Sequence, residues 1–352
     1  MSAEKLQEQI RAAADRRAVL RIRGGGTKDF YGNALEGEVL DTRGHAGIVD
    51  YEPTELVVTA RCGTLLADLQ EALSRQGQFL PFEPPGFGPG ATLGGCIAAG
   101  LSGPRRASAG SVRDFVLGAT ILDGRGCRLA FGGRVMKNVA GYDVSRLLAG
   151  SLGTLGLILE VSLKVLPRPA SEQTLTLEMP QAKALESMNR WAGMPLPISA
   201  TAWRDGELSV RLSGAPGAIK AAGEKLAGET VAAVQATQFW DGVREQTAPF
   251  FAGEVPLWRL SLPSNAPLID LPGEQLLEWG GALRWLKSGA DAATVRSAAA
   301  RAGGHATLFR AREKPAGAFA PLPKELARVH RELKQSFDPA GILNPHRLYP
   351  EF

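Results

Sequence analysis

The chain is poor in the residues that build metal sites and disulfide frameworks. Of its 352 residues, three are cysteine and four are histidine. Cys62, Cys96 and Cys127 are far apart and odd in number. That excludes a disulfide framework and any cysteine-rich metal or iron–sulfur cage held within the chain. None of His45, His305, His330 and His346 pairs with another at metal-ligand spacing. Excess charge of one sign is scarce too. Forty basic and 36 acidic side chains leave a net +4, with no run of five basic residues, so composition gives nucleic-acid binding little support. Long apolar runs are missing. The most apolar stretch, residues 147–166, is interrupted by Ser151, Glu160 and Lys164. Its apolar residues alternate from Leu157 to Val165, which predicts a strand and not a membrane span. The opening residues MSAEKLQEQIRAAADRR carry no apolar core, so no secretory signal is expected. The expected location is the cytoplasm, with peripheral attachment to the inner membrane only through partners.

Glycine is what the chain has in excess, and it is unevenly placed. Residues 1–170 hold 26 of the 42 glycines and none of the six tryptophans. Trp191, Trp203, Trp240, Trp258, Trp279 and Trp285 all follow, and Pro167 and Pro169 punctuate the change. At about 100–200 residues per domain, the length predicts two domains or three. The boundary is expected near residue 170, with subdomains of about 1–61 and 62–170 before it. A smaller domain is expected over 171–322, and a helix and tail over 323–352.

Helix and strand patterns mix in both regions. Glu4–Arg17 reads as an amphipathic helix, Val19–Arg23 and Glu55–Arg61 as strands. Thr64 is expected to cap a helix with Leu65, Leu66, Leu69 and Leu73 inward. Asp123-Gly124 and Asp205-Gly206 are hairpin signals. Pro323–Phe337 reads as a helix with Leu326, Val329, Leu333 and Phe337 on one side. Helices and strands alternate, but hairpins intervene, which predicts an α+β fold and not a doubly wound parallel sheet.

Three segments concentrate glycine beyond what a core needs. The first is Arg23-Gly24-Gly25-Gly26-Thr27-Lys28, directly after a strand. The second runs from Pro84 through Gly86, Gly88, Gly90, Gly94 and Gly95 to Gly103. The third is Gly150-Ser151-Leu152-Gly153-Thr154-Leu155-Gly156. Such loops expose consecutive N–H groups to an anion and let a long flat ligand lie against main chain. A P-loop is absent, and no G-x-G-x-x-G lies between a strand and a helix. What remains is an extended, phosphate-bearing ligand held by loops of another kind.

These segments resemble the vanillyl-alcohol oxidase / p-cresol methylhydroxylase (PCMH-type) flavoprotein superfamily. Residues 23–28 resemble its first pyrophosphate loop, residues 84–124 its long second flavin segment and residues 137–167 its third. FDPAGILNP, residues 337–345, resembles the short segment that returns to the flavin. Within the superfamily the chain is most similar to the FAD-binding subunits of bacterial glycolate oxidases (glycolate dehydrogenases). The resemblance implies a PCMH-type domain of two α+β subdomains with a smaller α+β cap. It implies FAD cradled at the pyrophosphate by Arg23, Gly24, Gly25, Gly26, Thr27 and Lys28. Pro85, Gly90, Ala91, Thr92, Gly94, Gly95, Ala98 and Ala99 would line the diphosphate and ribityl chain. Ser102, Gly103, Gly110 and Asp114 would come next along the cofactor. Gly153, Gly156 and Ile158 would lie near the adenosine, and Asn344 would approach the ring. Lys137, Asn138 and Tyr142 are candidates to cover it.

Many members bind flavin covalently through a histidine just after the first glycines. Thr27 stands in that place here, so a non-covalent FAD is expected. Metal-dependent 2-hydroxy-acid dehydrogenases of the superfamily carry a histidine pair and a further Glu–His pair, and this chain has neither. No catalytic residue and no metal ligand is assigned. His305 is a site candidate, and His346 is expected nearest the ring. Arg105 and Arg106 are candidates to face the flavin or a carboxylate. The implied setting is a complex that oxidises glycolate to glyoxylate. Its parts would be a homologous flavin-containing catalytic subunit, this subunit relaying electrons or supporting assembly, and an iron–sulfur subunit. Two other readings stand beside it: a self-sufficient 2-hydroxy-acid dehydrogenase, and a scaffold whose FAD is not redox-active.

Overall fold

The structure is a computed structural model that describes residues 2–133 and 143–352. Lys137, Asn138 and Tyr142 lie outside the described residues. Helix α1 (Ala3–Arg16) forms as its spacing predicts. Ser2 caps it, and Leu6, Ile10 and Ala13 are fully buried along one stripe. Strand β1 (Leu20–Arg23) follows and pairs in parallel with β2 (Glu38–Asp41). Between them the chain leaves the sheet as the first glycine loop.

An antiparallel sheet carries the other two glycine segments. It contains β3 (Ile48–Glu52), β4 (Val57–Arg61), β5 (Val116–Leu122), β6 (Arg128–Gly132) and β7 (Leu157–Lys164), in the order β3-β4-β7-β5-β6. The run read as alternating is the central strand β7, and it is buried along most of its length on both faces. Helices α2 (Leu66–Arg75) and α3 (Leu93–Ala99) pack against this sheet through Leu66, Leu69, Leu73, Leu93 and Ile97. Thr64 does not cap α2. Its hydroxyl accepts from the Gly47 N–H at 2.9 Å, the cap position falls to Leu65, and Leu65 is exposed. A distant turn claimed the hydroxyl that local spacing assigned to the helix.

The residues after 170 form an eight-stranded antiparallel sheet. Its strands are β8 (Ser171–Glu178), β9 (Ile198–Arg204), β10 (Glu207–Gly214), β11 (Glu229–Val231), β12 (Leu257–Ser261), β13 (Glu274–Glu278), β14 (Leu283–Lys287) and β15 (His305–Arg310). The order is β11-β8-β10-β9-β13-β14-β12-β15. Asp205 and Gly206 make the β9–β10 turn, both at positive φ. All six tryptophans are buried within the chain, so none offers itself as a surface anchor for a partner. By composition, LLEWGGALRWLKS reads as one apolar segment with Trp279 and Trp285 at its two ends, and the structure breaks it in two. Trp279 starts the tight turn between β13 and β14, and Trp285 lies on the returning strand.

The final helix, α4 here (Lys324–Phe337), buries Lys334, while Leu326 and Val329 stay exposed. Lys334 anchors the tail. Its ammonium donates to Asp338 and to the Leu343 carbonyl, both at 2.7 Å, and to the Thr154 carbonyl at 2.9 Å. Asp338 also accepts from the N–H groups of Ile342 and Leu343. This places Leu343 beside Leu20, so the tail extends the β1–β2 pair. Breaking one side of a buried ion pair strands the other charge, which costs about 3–5 kcal/mol. Asp338→Ala is therefore expected to lower stability by about 3 kcal/mol in urea unfolding. A change below about 0.5 kcal/mol, the range of an ordinary surface substitution, would show that the pair does not pin the tail.

Candidate functional site

The three glycine loops converge around α3. Thr92 caps this helix, its hydroxyl accepting from the Gly95 N–H. The first loop arrives from β1 and meets the second main chain to main chain. A β-carbon at Gly25 would stand 1.6 Å from the Gly90 carbonyl oxygen, and one at Gly24 would stand 2.2 Å from Thr92 Oγ1. Only glycine allows that approach. The third loop is tied to the other end of α3. Gly150 N–H donates to the Ile97 carbonyl, and Leu152 N–H donates to that of Ala98.

Asn344 joins these parts. Its Oδ1 accepts from Ile22 N–H at 2.7 Å, and its Nδ2 donates to the Leu152 carbonyl at 2.6 Å. The tail thus fixes β1 against the third loop. Arg23, Gly24, Gly25, Gly26, Thr27, Lys28, Thr92, Gly95, Ala98, Ala99 and Asn344 line one hollow of this cleft, and Gly94, Gly153, Gly156 and Ile158 join its continuation. Ala91 lies at a wider end beyond Thr27, and Ser102 lines a separate cavity. Pro85, Gly90, Gly103, Gly110 and Asp114 line none of these four spaces. Gly103 instead accepts from Trp279 Nε1–H at 3.0 Å, and Asp114 closes a capping box with Ser111.

The hollows beside the loops are small, about 80 and 60 Å³. Sites for ligands of cofactor size span about 300–1,000 Å³. These hollows are continuous with each other and, past Thr27, with a wider space, so the cleft is long and narrow. The chemistry of the walls suits a dinucleotide. Main-chain groups are bare, and Lys28, Arg23 and Arg347 supply positive charge, part of it met by Asp29, which pairs with Arg23 at 3.2 Å. Lys28 spans both loops, donating to the Gly86 carbonyl at 3.1 Å, and burial pushes its pKa down. Cys62 and Cys96 pack beside the cleft as inert thiols, pushed by burial to about 12 and about 11.

At the wider end a space of about 680 Å³ lies between Thr27, Phe30, Phe87 and Pro89 on one side and Glu245, Thr247 and Arg310 on the other. The Glu245 carboxylate accepts from the N–H groups of Gly86 and Phe87 at 3.0 and 2.7 Å. This side chain from the second half of the chain holds the second loop in place. No sequence signal marks Glu245. Arg347 could have been suspected, since it stands three residues beyond Asn344 in the returning tail. Its guanidinium donates to the carbonyls of Asn33, Lys28 and Asp29, and so braces the first loop.

Arg105 lines none of these four spaces. It is buried and paired with Glu83 and Glu172, while Arg211 from β10 also binds Glu83. Arg106 does reach a cavity. It joins Arg113, Arg259, Ser261, Trp279 and His305 around a space of about 480 Å³. His346, expected nearest the ring, is exposed, with its Nδ1 against the Pro350 carbonyl. Among the described residues no group of three or more His, Cys, Asp or Glu is placed to hold a metal.

Comparisons with known proteins agree with this architecture. An FAD binding domain family matches residues 1–132. Glycolate oxidase subunit GlcE of Escherichia coli is 52% identical over 348 residues, 99% of this chain and 97% of that protein. The chain belongs to the GlcE family of glycolate oxidase subunits. Glycolate oxidase subunit GlcD of Bacillus subtilis is 34% identical over 128 residues, 36% of this chain and 27% of its own. Among solved structures, an alkyldihydroxyacetonephosphate synthase superposes with a TM-score of 0.68 at 16% identity, over 98% of this chain and 76% of its own. That likeness shows the fold, the PCMH-type α+β arrangement, and the domain match shows an FAD-binding chain.

One buried acid near the cavity gives a test of the site's electrostatics. Glu278 ends β13 and accepts from Trp285 Nε1–H at 2.6 Å. Burial pushes its pKa up from 4.5 to about 7, only partly offset by Trp285 and Arg259. The native state therefore holds this proton more tightly than the unfolded chain. The stability it contributes is complete below about pH 4.5 and is lost as pH rises through about 7. Glu278→Gln keeps an acceptor for Trp285 without the charge. It should match the parent near pH 5 and exceed it at pH 8 by up to about 3 kcal/mol in urea unfolding. Equal stability at both pH values would show that Glu278 is already ionised at no cost.

Proposed function

We propose that this chain carries a non-covalent FAD as one subunit of a multi-subunit glycolate oxidase. Its flavin relays electrons from a homologous, flavin-containing catalytic subunit towards an iron–sulfur subunit. The complex oxidises glycolate to glyoxylate. The observation that carries this reading is a main-chain flavin cleft without a metal-binding group nearby among the described residues. FAD supplies an acceptor that takes electrons in pairs and releases them singly. The residues do the holding. Lys28 and Arg23 offset phosphate charge, the first loop presents bare amides, and Asn344 keeps the loops in register.

Three further points belong to the same proposal. Thr27 offers no nucleophilic ring nitrogen where related flavoproteins attach their cofactor, which supports a dissociable FAD. Two of the three cysteines are buried, so an iron–sulfur cluster belongs to a partner. No helix among the described residues is long and apolar enough to cross a membrane, so attachment to one would run through partners. The division into a flavin domain of residues 1–170, a cap of 171–322 and a returning segment of 323–352 is also our reading. It is supported by a five-stranded sheet ending at Lys164 and an eight-stranded sheet beginning at Ser171.

The test uses the purified complex with Gly25→Val in this subunit, which crowds the first loop against the second. Acid precipitation of the parent complex should release this subunit's FAD into solution. The variant complex should still assemble and still take the hydride of glycolate onto its other flavin. Turnover to an external acceptor should fall at least about tenfold, a barrier change of about 1.4 kcal/mol. Unchanged turnover with this site empty would leave the FAD a structural role at most.

A further inference from the structure

The residues that follow the first glycine loop are held by cations from the far end of the chain. Beyond β15 the backbone loops through residues 311–320 and returns to that strand, Leu308 N–H donating to the Ala318 carbonyl at 2.8 Å. Lys314 lies in this loop. Its ammonium donates to the carbonyls of Phe30 at 2.7 Å and Gly32 at 3.1 Å, and to that of Phe309 on β15 at 3.1 Å. An ammonium has three donors, so all of them are used. The loop is fixed further along as well. Ala318 N–H donates to Asn33 Oδ1 at 2.7 Å, and Arg296 donates to the carbonyls of Ala316 and Gly317. Arg347 of the tail takes the carbonyls of Lys28, Asp29 and Asn33. Two cations, one from the loop and one from the tail, therefore collect every carbonyl of residues 28–33 except that of Tyr31. Tyr31 instead packs its ring against Phe309 and Phe319.

The charge of Lys314 is not neutralised locally. Its three bonds go to carbonyls, and no carboxylate pairs with it among the described residues. The charged groups that face it are Arg347 of the tail and Arg310 of β15, and with burial they push its pKa down to about 8. Arg310 lies over the Phe30 ring at 4.7 Å and donates to Gln246. Asp29, the acid whose charge reaches Arg347, is shared with Arg21 and Arg23. Surplus positive charge therefore stands behind the first loop, and an anion in front of it lowers the cost. Arg347 lines the narrow hollow beside that loop, whereas Lys314 lines neither the hollows nor the wider space. Lys314 acts through main chain and through its field, without touching a ligand in the cleft.

We propose that Lys314 is a positioning residue for the flavin: it clasps the segment behind the first glycine loop to the eight-stranded sheet and strengthens the grip on the FAD diphosphate. The loop of residues 311–320 is then a strap through which the second half of the chain sets how tightly the first half holds its cofactor. The inference rests on the reading that FAD lies along the first loop. Protonated Lys314 favours the bound diphosphate, and the bound anion favours the proton. FAD should therefore bind less tightly as pH rises through about 8.

The test is titration of the full chain, stripped of FAD, with FAD at pH 7 and pH 9, followed by flavin fluorescence. The parent should lose at least about threefold in affinity between the two. Lys314→Arg keeps its charge at both pH values, so it should bind within about threefold of the parent at pH 7 and lose less at pH 9. Lys314→Gln should bind at least about tenfold more weakly than the parent at pH 7. Lys28, whose pKa burial also lowers, titrates in every chain, so the difference between parent and variant is what counts. The inference is overturned if Lys314→Gln binds FAD as tightly as the parent, or if the parent and Lys314→Arg lose affinity equally. The second comparison decides alone should Lys314→Gln fail to fold. Gly25→Val should lose FAD binding at both pH values. Binding equal to the parent there would overturn the placement of FAD and this inference with it, whereas loss there beside either overturning result removes this inference alone.

Discussion

The structure depends on one close approach: the first glycine loop lies against the second with no side chain between them. Gly25 and Gly90 touch through main chain, where one methyl group would collide with a carbonyl. The approach exposes peptide groups of both loops along one line and surrounds them with Lys28, Arg23 and Arg347. It also leaves the cleft narrow.

The rest of the fold keeps those loops aligned from outside. Lys334 and Asp338 hold the tail, and Asn344 then ties β1 to the third loop. On the opposite side Glu245 grips the second loop, and the network of Glu83, Arg105, Arg211 and Glu172 joins it to the eight-stranded sheet. Arg105, Arg211 and Glu83 are nearly inaccessible to solvent, so this network acts in a medium where charge pairs are weakly screened. The two halves of the chain are coupled by ionic contacts that the flavin segment itself carries.

What the sequence revealed were features carried by short spacing. The three glycine segments, the buried stripe of α1, the Asp205-Gly206 hairpin and the central strand β7 all follow from local rules. The tail's return to β1 came from resemblance, and the structure shows Leu343 beside Leu20. What escaped were features that distant residues decide. Thr64 reads as a cap until Gly47 takes its hydroxyl. Trp279 and Trp285 look like one apolar run until a positive φ at Trp279 turns the chain. His346 has the right place in sequence but projects outward, while Arg347 beside it turns in. The cationic cavity joins Arg106, Arg259 and His305 from two halves of the chain, and no local pattern joins them.

The claim beneath this account is that FAD lies along the three glycine loops. Hydrogen–deuterium exchange on the chain stripped of FAD and then reloaded tests it directly. The account predicts that reloading slows exchange at the amides of residues 24–28, 90–99 and 150–156 together. Protection confined to residues after 170, or unchanged exchange in all three loops while the chain turns yellow, would contradict it.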